Sequence, residues 1–126
     1  WQDIICVNTG SNSVRIFRNT GISTTTITAS SFNAGFDYAF FGSPVSCAIA
    51  DYDGDGKMDL AVTNASLGQI RILRNEGTPG LIDGSTFTTF TSFSTGVSPN
   101  YISAADLDGD GKQDIVVGNA GSGTIS

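Results

Sequence analysis

The chain has 126 residues, of which 39% are hydrophobic and 14% charged, and its formal net charge is −6. That balance supports a folded core and excludes wholesale disorder. Six basic residues against twelve acids provide no clustered positive charge for nucleic-acid phosphates, no stretch reaches the ~20 apolar residues of a membrane helix, and the absence of histidine removes the commonest general base and transition-metal ligand.

The opening Trp1-Gln2-Asp3 lacks the basic start and apolar run of a leader, and the missing initiator Met suggests a processed chain or an excised piece. Two extended segments come first: residues 3–8, apolar at Ile4, Ile5, Cys6 and Val7, and residues 14–19. The middle of the chain predicts four strands, at 46–50, 58–63, 69–75 and 86–93. In the second of these Leu60 and Val62 are apolar, and in the third Ile70 and Ile72 alternate with Arg71. Segments of about 5–7 residues fit strands, and no 3.6-residue period runs long enough for a helix. Turns are expected at 64–68 and 75–80, where Asn and Gly cluster.

An internal repeat organises these segments. Residues 48–64 realign with 103–119 at an offset of 55, and 3–8 and 14–19 realign with 59–64 and 70–75 at an offset of 56. Four short antiparallel strands per ~55 residues is the signature of a propeller blade. The fold class expected is therefore all-β, with propeller-type blades of four antiparallel strands. About two blades' worth is present, incomplete at both ends. Residues 1–45 form a partial blade (strands 2–4), 46–95 a complete one, and 96–126 a second partial blade (strands 1–3). A blade does not cover both its own faces, so the expected partners are other copies of this chain or the rest of a longer array.

Between the first and second strands of a blade lies an acidic loop, at 51–59 and again at 106–114. Carboxylates stand at positions 1, 3, 5 and 9: Asp51, Asp53, Asp55 and Asp59, then Asp106, Asp108, Asp110 and Asp114. These loops hold eight of the twelve acids. So dense a negative charge calls for a counter-ion. An all-oxygen set suits a hard cation, Ca²⁺ before Mg²⁺, and argues against Zn²⁺ or Cu²⁺. Position 7 (Lys57, Lys112) would add its backbone carbonyl, and Gly56 and Gly111 permit the turn. The expectation is two Ca²⁺ per chain, acting as structural pins. The EF-hand does not fit, because Val62 and Val117 stand where it needs Glu and strands replace its helices.

Cys6 and Cys47 align with apolar Val62 and Ile102, so they read as small buried hydrophobes, with a disulfide the alternative. Asn64-Ala65-Ser66 is a glycosylation sequon, but Asn8 and Asn119 share the position without one, which favours a turn role. Arg15, Arg18, Arg71 and Arg74 recur on the third strand, as links between blades or an anion-binding stripe. Trp1, Phe36, Tyr38, Phe40, Phe41, Tyr52 and Tyr101 are the candidates for stacking on a sugar, against a prior that most are core.

With Phe41-Gly42-Ser43-Pro44 before the first loop and Gly96-Val97-Ser98-Pro99 before the second, the chain resembles the FG-GAP/VCBS repeats of integrin-α-like β-propellers. The Phe-Gly element is only partly kept, since the second copy lacks the Phe. The resemblance implies a propeller with calcium on one face. The function expected is a non-enzymatic, extracellular, calcium-binding module for adhesion, for carbohydrate or cell-surface protein binding, or for assembly. The alternative is a set of blades from a polysaccharide lyase or hydrolase, although the acids outside the loops (Asp3, Asp37, Glu76, Asp83) are isolated in the sequence.

Overall fold

A computed structural model describes residues 2–21 and 26–126. Trp1, one of the stacking candidates, lies outside the described residues. The fold is all-β: three antiparallel sheets follow one another along the chain and do not close into a ring. The first contains β1 (Ile4–Asn8), β2 (Ser13–Phe17) and β3 (Phe36–Ala39), in that spatial order. The second contains β4 (Pro44–Ala50), β5 (Asp59–Asn64), β6 (Gln69–Leu73) and β7 (Phe90–Ser94) as a four-stranded meander. The third contains β8 (Pro99–Ala105), β9 (Asp114–Asn119) and β10 (Thr124–Ile125). The only helical pieces among the described residues are two three-residue 3-10 turns, Thr9–Ser11 and Ala29–Ser31.

Hydrophobic alternation sets the register. In the first sheet Ile5 pairs with Ile16 and Val7 with Val14, so these four share one face. They pack against Leu60, Val62 and Leu73 of the second sheet, with Tyr38 and Phe40 completing that core. The opposite face of the second sheet presents Ala61 and Ile70 to Ile102 and Val117 of the third. All six residues of β5 are buried, because sheets cover it on both sides. Its apolar run, in place of strict alternation, is the sequence trace of that double cover. The equivalent strands β1 and β9 lack a second cover and are only partly buried.

Two strand limits differ from the sequence reading. β6 ends at Leu73, because the Arg74 N–H turns to the Thr89 carbonyl and the Asn75 N–H to the Asp59 carboxylate. β7 begins at Phe90 and not near residue 86, because a turn at Asp83–Thr86 takes the preceding residues. There the Asp83 N–H donates to Thr86 Oγ1, and the Thr86 N–H donates to the Asp83 carbonyl. Phe87, thereby released from the sheet, lies edge-on to Tyr38 at 5.3 Å, and Tyr38 Oη donates to the Asp83 carbonyl at 2.6 Å. The long β6–β7 connection thus docks on the preceding sheet. β4 and β8 carry matching bulges after Pro44 and Pro99.

Cys6 and Cys47 are half-buried free thiols. Cys47 packs beside the first core, and burial, then the neighbouring Cys6, pushes its thiol pKa up. Tyr38 and Phe40 are core residues, and Phe36 tilts against Tyr38 at 5.0 Å. Phe41 and Tyr101 stand exposed.

Candidate metal centres

Each acidic loop is a strand-to-strand turn drawn tight by its own carboxylates. Asp51 Oδ1 accepts the Gly54 and Asp55 N–H groups at 2.8 and 3.2 Å, and Oδ2 accepts the Gly56 N–H at 2.9 Å. Gly54 and Gly56 hold φ of 78° and 84°, a region that favours glycine. The second loop repeats this: Asp106 accepts the Gly109 and Gly111 N–H groups at 2.8 and 2.9 Å, with φ of 82° and 86°. In each loop three carboxylates converge. One oxygen from each of Asp51, Asp53 and Asp59 lies within 4.8 Å of the others, and the same holds for Asp106, Asp108 and Asp114.

Asp55 and Asp110 stand outside these groups of three. Asp55 Oδ1 caps the Lys57 N–H at 2.9 Å and Oδ2 accepts from Arg74 Nη2 at 3.0 Å. Asp110 Oδ1 caps the Lys112 N–H at 2.9 Å, and Oδ2 accepts from Lys112 Nζ at 2.7 Å. Arg74 Nε also donates to Asp53 Oδ2, and this bond holds the Asp53 carboxyl below its usual range. The Lys112 contact does the same to Asp110. The Lys57 and Lys112 side chains therefore differ: Lys112 closes on its own loop, whereas in the first loop Arg74, just past the end of β6, takes that role.

The ninth position has a second task. Asp59 is 2% exposed; its Oδ2 accepts the Tyr52 N–H at 3.1 Å and its Oδ1 the Asn75 N–H at 2.7 Å. It ties the start of the loop to the exit of β6. Asp3 makes the matching bond to the Asn19 N–H at 2.7 Å. Asn75 and Asn19 close each corner, donating to the Met58 and Gln2 carbonyls and accepting from the Gly77 and Gly21 N–H groups. The recurrence of Asn at the end of the third strand was the available signal for this corner. Burial, then Asp59, then Cys47 push Tyr52 up to about 12.

The donor set suits a hard cation. It is all oxygen and carries net negative charge, and the protein places a cationic group of its own, Arg74, on Asp53 of the first set and another, Lys112, on Asp110 beside the second. Elsewhere the sequon Asn64 is fully buried, its Nδ2 donating to the Phe41 carbonyl at 2.6 Å. A Cβ on Gly42 would lie 2.1 Å from Asn64 Oδ1. This contact accounts for the glycine of the Phe-Gly pair and gives Asn64 a structural role. The remaining acids have local partners: Asp37 pairs with Arg15, Glu76 accepts from Thr88 and Thr89, and Asp83 accepts from Ser85. No helix among the described residues is long and apolar enough to cross a membrane.

Among known families, the model described as FG-GAP-like repeat matches residues 1–62 and again 51–117. No curated protein and no solved structure matches the chain.

Proposed function

The chain belongs to the FG-GAP-like repeat family, and from that premise we propose that it is a non-enzymatic, extracellular calcium-binding module whose blades serve binding or assembly. The observation that carries the metal reading is the twofold convergence of three carboxylates within 4.8 Å in equivalent loops. Asp51, Asp53 and Asp59 would hold one Ca²⁺, and Asp106, Asp108 and Asp114 the other. Asp55 and Asp110, together with the Lys57 and Lys112 carbonyls, complete the expected sets. The ion neutralises the loop and fixes the first strand of a blade to the second. Millimolar extracellular calcium suits loops of this kind. Calorimetry with Ca²⁺ on metal-stripped protein should give about two equivalents. Absence of binding, or displacement of Ca²⁺ by Zn²⁺ at equal concentration, overturns the reading.

The partner reading is a further blade-bearing copy or more of the same array. It is supported by two uncovered faces. Ile4 is 42% exposed where its equivalent Leu60 is 1%, and Ile125 is 78% exposed where its equivalent Ile70 is 5%. One face has the residues of a blade's leading side and the other those of a trailing side, which makes them complementary. Light scattering in calcium tests this; a stable monomer at micromolar concentration refutes it.

A further inference from the structure

Arg71 differs from its counterpart in the preceding blade. Arg15 on β2 pairs in register with Asp37 of β3, and its Nη1 contacts Asp37 Oδ2 at 3.1 Å while Nη2 donates to the Ala34 carbonyl at 2.7 Å. Arg71 holds the same place on β6, but its register partner on β7 is Ser92. Among the described residues the Arg71 side chain has no hydrogen bond or ion pair, although it lies against two aromatic rings. Its Cζ is 4.7 Å from the Phe90 centroid and 5.9 Å from the Phe40 centroid. In both arginines Nε is buried without a partner, so the difference lies in the terminal nitrogens.

Arg71 lines a cavity of about 300 Å³ between the first and second sheets. Tyr38, Phe40, Phe41, Phe87, Phe90 and Thr88 line it, and no carboxylate does. Phe41, 79% exposed, stands at its rim. The geometry points to a binding site for a sugar acid, a pyranose bearing one carboxylate. A guanidinium stacked on rings keeps its in-plane edge for two parallel bonds to a planar carboxylate. A single cation in the lining matches a monoanion, not a phosphate dianion. Phe41 at the exposed rim and the half-buried Phe87 offer flat apolar surface to the C–H face of a sugar, and Thr88 Oγ1, which donates to Glu76, keeps lone pairs to accept a sugar hydroxyl. The volume is at the lower end of ligand pockets and suits one ring. This site is independent of the acidic loops and does not need calcium.

Saturation-transfer NMR with glucuronate on the intact chain tests the assignment, and it tolerates any assembly state. Glucuronate should receive saturation at its ring protons, whereas neutral glucose and acetate should bind about tenfold more weakly or not at all. Arg71→Gln should reduce glucuronate affinity about tenfold or more, and Arg15→Gln should leave it unchanged. Ser92→Asp keeps Arg71 but supplies the internal partner that Arg15 has, and it should also abolish binding. Its far-UV circular dichroism should match the parent. Absence of glucuronate binding, equal binding of glucose or of acetate, or a Ser92→Asp variant that binds normally overturns the proposal.

Discussion

Replacing Asp59 by Ala separates the corner-holding role of this carboxylate from any role in metal binding. In chelator, no ion contributes, and the loss is that of the two bonds from the Tyr52 and Asn75 N–H groups. A hydrogen bond to a charged group contributes about 1.5–3 kcal/mol, and a buried N–H left unpaired adds a penalty. Both donors are half-buried and water can partly replace the acceptor, so the expected loss is about 3 kcal/mol. Asp114 is exposed and accepts a single N–H, from Leu107 at 3.0 Å, so Asp114→Ala should cost about 1 kcal/mol. For a domain of this size the difference amounts to roughly 5–10 °C in Tm. Urea unfolding and thermal melts of both variants in chelator measure it. Equal losses would refute the claim that Asp59 is a structural corner independent of the ion.

Removing calcium should lower the Tm of the parent chain, and Asp53→Ala should reproduce much of that loss; an unchanged melt in chelator shows the ions to be incidental. Because Arg74 supplies the first loop's own positive charge, Arg74→Gln should lower Tm more in chelator than in calcium, as differential scanning calorimetry would show. Gly42→Ala forces a Cβ onto Asn64 and into a φ of 99°, and should cost about 2 kcal/mol or more in urea titration. Hydrogen bonds from Thr88 and then Thr89 hold the Glu76 carboxyl below its ordinary 4.5. Its contribution is therefore complete above that pH and is lost as pH falls through the lower folded value. Glu76→Gln should flatten the parent's loss of Tm over that acid range.

Much of this protein was legible in the sequence because its information is local and repeated. Seventeen-residue alignment at an offset of 55 fixed the blade unit, and the Asp spacing fixed which loops carry negative charge. Short apolar segments of strand length placed β5 and β6, while the neighbour that each face meets came from the packing of the sheets. The aligned valine and isoleucine positions likewise anticipated that Cys47 packs with apolar neighbours.

What spacing does not encode is contact between elements distant in the chain. The sequence gives Asp55 and Asp110 the same rank as the other loop acids, yet cationic side chains and the Lys57 and Lys112 N–H groups draw them away from the group of three. Arg74 reaches Asp53 only because β5 and β6 pair in register and bring the end of one strand beside the loop of the other. Phe87 leaves its predicted strand because the Asp83–Thr86 turn takes the residues before it, and its ring then meets Tyr38 of the preceding sheet. Arg15 and Arg71 look alike as letters in a repeat; strand pairing gives one an aspartate and the other a serine. Those distinctions arise from packing across sheets, where distance in space, not in sequence, sets the energy.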